Sequence, residues 1–179
     1  MSHSKSAVLI SISGLDRVGV VSEVSGYLFE IGGNLADTAF ALLGKGFDYT
    51  AVAEFDVEIS TNEISDGLAS LNSLQGAEIS VKPFPFDLAR EHTGTITHFL
   101  EIIGGDKPGL VARVSEVILE YGANIVRMTS RRVETEDGYD YRTRFGLNIS
   151  GGNAEALENA LYNTAGSMRL TCEFKKAAG

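Results

Sequence analysis

The chain has 179 residues, of which 44% are hydrophobic and 22% are charged, and these values are typical of globular proteins. Its formal net charge of −9 argues against free-standing DNA or RNA binding, because such binding depends on neutralising phosphates. No apolar run approaches the ~20 residues of a transmembrane helix, and the first six residues lack the apolar core of a signal peptide. The single cysteine excludes an internal disulfide framework. We therefore expect a cytoplasmic protein with no membrane and no direct nucleic-acid partner.

One sequence pattern occurs twice in the chain, ninety residues apart. Residues 13–21, SGLDRVGVV, return as residues 103–111, IGGDKPGLV, and the register holds as far as Asn34 and Asn124. With two extra residues in the second copy, GFDY at 46–49 then matches GYDY at 138–141. A repeat of fixed period indicates a duplicated structural unit.

Each copy predicts the element order strand, helix, strand, strand, helix, strand. In residues 8–13 the strongly apolar side chains recur at every second position, as in a half-buried strand. The first helix is expected to begin at Asp16, because apolar residues follow it at three- and four-residue steps. Both copies place a glycine, Gly32 or Gly122, where this helix should end, since glycine tolerates the left-handed conformation of a helix terminus.

Glycine-containing turns at residues 44–46 and 136–138 predict hairpins between the second and third strands of each copy. Apolar side chains predict second helices through Ile64, Leu68, Leu71, Leu157 and Leu161, and closing strands through Ile79, Val81, Met168, Leu170, Cys172 and Phe174. Pro83 and Pro85 are expected to end strand pairing, because proline has no N–H to donate.

We therefore predict two domains, residues 6–83 and 97–176, joined by a linker at residues 84–96. The order βαββαβ is that of the ferredoxin-like α+β fold, in which an antiparallel four-stranded sheet carries two helices on one face. This fold hosts many functions, so the functional argument rests on particular residues.

The turn between the first strand and the first helix is where the two copies agree most closely. Asp16 and Asp106 are expected to be N-caps, accepting hydrogen bonds from first-turn amides. Gly19 and Gly109 then fall in the first helical turn, where glycine is a poor helix former. Two explanations stay open: a ligand carboxylate meets the backbone at the positive helix end, or the glycine lets helix and neighbouring strand pack tightly.

The pattern Gly-x-Asp-x-x-Gly, followed by Gly-x-Asn before the second strand, resembles the ACT domain, a regulatory module that binds amino acids. The resemblance covers nearly the whole chain, twice. Residues 14–21, 33–37 and 41–44 are similar to tandem-ACT proteins of the glycine cleavage system repressor type. In that family the ligand lies between paired ACT domains, in contact with the turn before the first helix and with the Asn segment of the second strand.

Carried over by position, the resemblance implies a ligand-binding set in each copy: Asp16, Arg17, Val18, Gly19, Asn34 and Leu35, then Asp106, Lys107, Pro108, Gly109, Asn124 and Ile125. The first copy departs from the family at Val18, where proline is usual. The implied ligand is an amino acid, with glycine or serine fitting the resemblance. The implied partners are a second copy of the chain, since strand edges invite pairing, and a further protein regulator.

The sequence contains no recognisable set of catalytic residues. Three histidines and one cysteine do not provide a repeated metal site, and no GxGxxG or GxxxxGK[ST] motif occurs. Cys172 lies on an apolar strand face and is expected to be a buried, unreactive thiol. We expect no catalytic residue, metal or cofactor, and a non-catalytic amino-acid sensor is the leading hypothesis. A ligand-free interaction module, an enzyme and a detached regulatory subunit of an enzyme are the alternatives.

Charge is unevenly divided between the copies. Residues 1–90 hold five Lys and Arg against twelve Asp and Glu, whereas residues 91–179 hold ten against twelve. Arg142 and Arg144 are expected on the strand face away from the helices, with Arg127 and Arg131 on the neighbouring strand. Two interpretations stay open: a solvated surface with salt bridges, or a contact surface for the acidic first unit or an acidic partner.

Overall fold

The computed structural model describes residues 6–88, 94–105, 107–136, 138–151 and 153–178. The chain divides into two compact units, Met1–Leu88 and Ala89–Gly179. Each unit has the predicted order of strands and helices. The sequence repeat therefore corresponds to two units of one topology.

The first unit contains one four-stranded antiparallel sheet and two α-helices. Its elements are β1 (Ser6–Leu15), α1 (Val20–Glu30), β2 (Gly33–Leu43), β3 (Gly46–Phe55), α2 (Thr61–Ala69), a 3₁₀ turn (Asn72–Leu74) and β4 (Glu78–Pro83). The strand order is β2-β3-β1-β4, with every neighbouring pair antiparallel. This unit has the predicted βαββαβ fold.

The second unit repeats this topology with a longer second helix. Its elements are β5 (His98–Gly104), α3 (Leu110–Glu120), β6 (Asn124–Thr135), β7 (Gly138–Asn148), α4 (Ala154–Ser167) and β8 (Thr171–Lys176). The strand order is β6-β7-β5-β8, again antiparallel throughout. The predicted fold class, two ferredoxin-like α+β units, is confirmed.

Each unit has its own hydrophobic core between the sheet and its helices. In the first unit, alternate β1 residues such as Ile10 pack against Val24 and Leu28, which lie four residues apart on one face of α1. In the second unit, Leu100 and Val114 occupy the matching places and are buried. Burial of one such side chain stabilises the fold by about 1.5–3 kcal/mol.

The first helix of each unit begins later than predicted. Helix α1 begins at Val20, with Gly19 as its N-cap at φ +101°, and α3 begins at Leu110, with Gly109 as its N-cap at φ +83°. The expectation that the aspartates are N-caps is wrong: neither cap has a side-chain hydrogen bond. The backbone N–H of Asp16 donates to the carbonyl of Lys45 at 3.0 Å, and Asp106 lies outside the described residues. The chain makes one further turn before each helix.

Other element ends differ by a few residues. Leu71 lies beyond α2, and Met168 and Leu170 precede β8 instead of belonging to it. The glycines at the ends of the first helices have φ of +82° and +69°, as a left-handed C-terminus requires. Residues 89–93 of the expected linker lie outside the described residues. Within the parts of the chain that are described, no helix is long and apolar enough to cross a membrane.

Helix α4 ends on a residue in an unfavourable conformation. Arg169 has φ +57°, and the N–H of Leu170 donates to the carbonyl of Ala165 at 2.9 Å. Left-handed backbone costs a residue with a Cβ about 1–2 kcal/mol. We expect Arg169→Gly to raise the free energy of unfolding by about 0.5–1 kcal/mol in urea titrations followed by circular dichroism. Arg113→Gly, inside α3, should lower it by about 1 kcal/mol, and a loss of stability in Arg169→Gly would contradict the argument.

Candidate functional site

A cavity of about 310 Å³ lies beside the turn that precedes α3 in the second unit. We call it the turn cavity. Its lining consists of Lys107, Pro108, Gly109, Leu110, Val111, Ala112, Ser130, Tyr141 and Thr143. Three residues of the predicted binding set, Lys107, Pro108 and Gly109, therefore line a real cavity.

Hydroxyl groups from β6 and β7 form the wall opposite the turn. Ser130 Oγ and Thr143 Oγ1 are 2.9 Å apart, and Thr143 is only 1% exposed. One of these hydroxyls donates to the other, so the pair keeps one hydrogen for a ligand. Arg132 Nε donates to the Tyr141 hydroxyl at 2.9 Å, and its guanidinium lies 5.6 Å from the Tyr141 ring centre. Arg132 thus fixes Tyr141 while the phenol keeps its own hydrogen to donate.

The glycine of this turn has a backbone explanation. A Cβ built on Gly109 would meet nothing within 4 Å, and on Gly19 it would meet only the flexible carboxylate of Glu23, at 3.7 Å. The explanation that glycine permits tight helix–strand packing is therefore wrong. Positive φ at both positions is sufficient reason for glycine. The two glycines are consequently no evidence for a ligand by themselves, and the cavity must supply that evidence.

The Asn segment of each binding set lies at the other end of its own sheet. In the second unit, Gly104 before the turn pairs with Tyr141, whereas Asn124 pairs with Asn148. These partners on β7 are seven residues apart, or about 23 Å at ~3.3 Å per strand residue. Ile125 packs against the second core. The structure therefore does not bring Asn124 and Ile125 to the turn cavity of their own unit.

The first unit shows the same separation. Leu15, at the end of β1, pairs with Gly46, whereas Asn34 pairs with Glu54, eight residues further along β3. This is about 26 Å at the usual strand rise. Leu35 packs partly against the first core. Within either unit, the turn and the Asn segment cannot contact one small ligand.

Apolar side chains surround the corresponding part of the first unit. Tyr49, which matches Tyr141 in the repeat, is 0% exposed, and burial raises the pKa of its phenol. Phe40 stands opposite Tyr49, where Arg132 stands opposite Tyr141, and stacks on Phe47 with ring centres 5.9 Å apart. By the register with β1 and β5, Phe40 and Tyr49 take the places of Ser130 and Thr143, so the Tyr49 phenol is the hydroxyl at this place. This single hydroxyl and these rings give a less polar environment than the turn cavity.

The turn of the first unit is held by its own side chain. Arg17 Nη1 donates to the carbonyl of Asn72 in the 3₁₀ turn at 3.1 Å. Glu23, in the first turn of α1, accepts the N–H of Ser73 at 3.0 Å, and this hydrogen bond lowers the pKa of the Glu23 carboxyl. Val18 is fully exposed. Arg17 is thus already engaged, whereas Lys107 lines a cavity.

A second groove lies between α3 and α4, with a volume of about 670 Å³. It shares Pro108 and Gly109 with the turn cavity. Its hydroxyls are used within α4: Thr164 donates to the carbonyl of Ala160 at 2.8 Å, and Ser167 donates to the carbonyl of Thr164 at 2.7 Å. The turn cavity, although smaller, has the Ser130–Thr143 hydroxyl pair, which keeps a hydrogen for a ligand, and is the better candidate.

Two other groups of the second unit do not take part in the site. Cys172 is half-buried, and burial together with nearby Glu158 raises its pKa to about 11, so the thiol stays protonated and unreactive at neutral pH. His98 stacks on Phe174 with ring centres 5.2 Å apart, and burial lowers its pKa. The described residues contain no group of three or more potential metal ligands, and His3 and His92 lie outside them.

Sequence reasoning missed Ser130, Tyr141 and Thr143 as candidate site residues. A usable signal was present in Tyr141, which belongs to the repeated GYDY segment. The other two are polar side chains on the helix-facing side of the sheet, where the core pattern predicts apolar residues. A search for polar residues at core positions of one copy would have identified them.

Residues 98–162 match the family model of the ACT domain. A protein of unknown function from Galdieria sulphuraria has a similar structure, with a TM-score of 0.75 and 22% identity over 98% of this chain and 100% of its own. A provisionally assigned glycine cleavage system transcriptional repressor gives a TM-score of 0.69 and 16% identity over 98% of this chain and 99% of its own. No curated protein matches. The second unit therefore resembles an ACT domain over residues 98–162, and the chain as a whole has the tandem ACT fold.

Proposed function

We propose that this protein is a non-catalytic, amino-acid-sensing regulator of the cytoplasm that controls glycine-type amino-acid metabolism or its transcription. Ligand binding in the turn cavity would change its assembly or its binding to a protein partner. The observation that carries this proposal is the cavity beside Lys107, Pro108 and Gly109, with its hydrogen-bonded Ser130–Thr143 hydroxyl pair. ACT domains are regulatory modules, which supports a role in control.

The lining of the turn cavity suits the groups of a small amino acid. The Lys107 ammonium and the first-turn amides of α3 attract a carboxylate, since these amides lack intrahelical partners. Hydroxyl oxygens of Ser130 and Tyr141 accept hydrogen bonds from an ammonium group. A volume of about 310 Å³ is at the small end of ligand sites. We therefore propose glycine or serine as the ligand.

We propose that the Asn segments contact a ligand held by the turn of a second ACT module. Because Asn124 and Ile125 lie about 23 Å from their own turn, they can reach only a ligand held by another module. The same holds for Asn34 and Leu35. Strands β2 and β6 each have one unpaired edge, and pairing of such edges joins modules side by side. We propose a homodimer assembled in this way.

The turn of the first unit is proposed as a second, weaker site. Its predicted residues are Asp16, Arg17, Val18 and Gly19, and their counterparts in the second set are Asp106, Lys107, Pro108 and Gly109. Arg17 is bonded to Asn72 and would have to release it before binding a carboxylate. A ligand shifts assembly only if its affinity differs between the two arrangements.

Ligand binding is tested by thermal shift with the twenty amino acids, followed by calorimetric titration of those that stabilise. A ligand at 100 times its Kd stabilises by about 2.7 kcal/mol. We expect Ser130→Ala and Lys107→Met each to weaken binding about tenfold, the loss of one hydrogen bond or ion pair. Lys45→Met, in the first hairpin, is the matched control and should bind normally. Absence of any shift at millimolar ligand would refute the sensor.

Assembly is tested by light scattering at tens of micromolar protein, with and without the ligand. We expect a mass above that of the 19.1 kDa chain. A charge substitution on the β6 edge, Thr129→Glu, should restore the monomer, because charges on an edge strand oppose pairing. A monomer under all conditions would contradict the proposed dimer. It would not contradict ligand binding, which the thermal-shift experiment decides.

The second candidate function is an interaction module that binds another protein without any ligand. If that other protein is an enzyme, the chain is its detached regulatory subunit. Edge strand β2 favours it, since Phe40, Leu42 and Leu43 are 41%, 59% and 64% exposed. Exposed apolar side chains on an unpaired edge are typical of contact surfaces. Edge pairing that persists without any amino acid, with no thermal shift, supports this candidate over the sensor.

A further inference from the structure

The side of the second sheet that faces away from the helices carries four arginines. Arg131 pairs with Arg142 across β6 and β7, Thr129 pairs with Arg144, and Arg127 pairs with Gly146, so all four point to one side. The other side holds Phe145, which is 1% exposed in the core. We call this surface, formed by Arg127, Arg131, Arg142 and Arg144, the arginine face.

The chain neutralises only part of this positive charge. Glu101 on β5 is the acidic partner, with Arg144 Nε bonded to Oε2 and Arg142 Nε 3.8 Å from Oε1. Among the described residues no ion pair is recorded for Arg127 or Arg131, which are both exposed. Asp140 on β7 and Glu173 on β8 lie on the same side of the sheet, and Glu173 is paired with Lys175. The four guanidinium groups therefore outnumber the carboxylates beside them.

The arrangement is unfavourable for the isolated fold. Arg131 and Arg142 stand directly opposite each other, and like charges in this position destabilise a sheet. The first unit shows that the topology does not need them: by the register with β1, Ala41 and Asp48 form the matching pair, and Thr50 replaces Arg144. The arginines thus belong to the second unit alone and make no contribution that the shared fold requires.

We propose that the arginine face binds an acidic segment of another protein. Guanidinium groups bind carboxylates through two parallel hydrogen bonds. The four arginines lie on adjacent strands. Arg131 and Arg142 are about 5 Å apart across the strands. Along the strands, Arg142 and Arg144 are about 7 Å apart and Arg127 and Arg131 about 13 Å apart. This spacing suits an extended peptide rich in Asp and Glu. The surface is separate from the turn cavity, so binding here does not depend on the amino-acid ligand.

A protein partner fits better than a nucleic acid. The net charge of −9 repels any polyanion. It repels duplex DNA, with one negative charge per ~1.7 Å of its axis, more than an extended acidic peptide with at most one charge per residue of ~3.3 Å. Single-stranded nucleic acids also need aromatic side chains on which bases stack. On the described part of this sheet side, Phe99 is the one exposed aromatic residue, at 50%. Local guanidinium–carboxylate pairing is therefore the interaction that the surface supports.

Fluorescence anisotropy with a labelled poly-glutamate peptide tests the proposal on the full chain. We expect saturable binding at low salt that weakens as salt rises, because exposed charges are screened beyond ~10 Å at 0.1 M. The double variant Arg127→Gln/Arg131→Gln should lose at least tenfold in affinity. Neither arginine forms an ion pair with another described residue, so the variant should fold, and removing the opposed charges should not lower its melting temperature.

The matched control is Arg113→Gln/Lys45→Gln, which removes the same charge away from the arginine face and should keep wild-type affinity. An equal loss in the control would mean nonspecific electrostatics and overturn the proposal. Absence of peptide binding at low salt would also overturn it. A labelled single-stranded RNA is titrated in parallel. If RNA binds more tightly than the peptide, and if this binding depends on Arg127 and Arg131, the partner is a nucleic acid and the proposal is overturned.

Discussion

We expect Gly67→Ala to lower the free energy of unfolding by about 1–3 kcal/mol, the usual cost of overpacking. Gly67 lies inside α2, where alanine normally gains about 0.5–1 kcal/mol over glycine. Here a Cβ would lie 1.9 Å from the Tyr27 hydroxyl and 2.2 Å from Cζ of its ring. Tyr27 belongs to α1 and packs against the first core, and its hydroxyl donates to the carbonyl of Glu63 at 3.3 Å. The ring must therefore move and give up that contact.

The control is Gly26→Ala in α1, where a Cβ would meet nothing within 4 Å. It should raise stability by about 0.5–1 kcal/mol. The double variant Tyr27→Ala/Gly67→Ala should be no less stable than Tyr27→Ala alone, because the steric conflict is gone. The chain has no tryptophan, so unfolding is followed by far-ultraviolet circular dichroism. Equal gains in Gly26→Ala and Gly67→Ala would show that Tyr27 does not restrict α2.

Period and repetition were sufficient to predict the fold from the sequence. Alternation in residues 8–13 predicted β1, and the recurrence of the pattern after ninety residues predicted a second sheet of the same order. These signals are strong because one face of each element is buried in a core. The sequence-level error was local and came from the turn before each first helix.

That error has a physical cause. An aspartate shortly before an apolar helical pattern, here four residues before Val20 or Leu110, is a usual signature of an N-cap. The same spacing also fits a turn that ends in a left-handed glycine, and only backbone dihedral angles distinguish the two. Gly19 and Gly109 adopt the second arrangement. The sequence therefore located the turn but assigned the wrong residue to the helix boundary.

The candidate site was predictable only in part for a related reason. Its turn residues are adjacent in sequence, so the repeat identified Lys107 and Pro108 directly. Ser130 and Thr143 come together through the register of β6 and β7, which shifts at an irregularity between Ile125 and Arg127. A shift of one residue exchanges the two faces of a strand. No pattern along a single strand specifies which hydroxyls will meet.

Replacing Gly109 by valine is the second change for which we expect a large effect. Gly109 has φ +83°, and this conformation costs a residue with a Cβ about 1–2 kcal/mol, with β-branched residues disfavoured most. We expect a loss of about 2 kcal/mol in denaturant unfolding. We also expect weaker amino-acid binding, because relief of the strain moves Pro108 and the first turn of α3, which line the turn cavity.

Gly105→Val is the matched control for this prediction. Gly105 lies in the same turn, its φ is not in the left-handed region, and a Cβ there meets nothing within 4 Å. Its stability should change by no more than about 0.5 kcal/mol, and its ligand affinity should stay normal. Valine is strained at Gly109 but not at Gly105, although both lie in one turn. The comparison therefore distinguishes an effect of backbone conformation from an effect of any bulky side chain in the turn. If both variants lose the same stability, or if Gly109→Val binds its amino acid normally while destabilised, the left-handed turn does not shape the cavity.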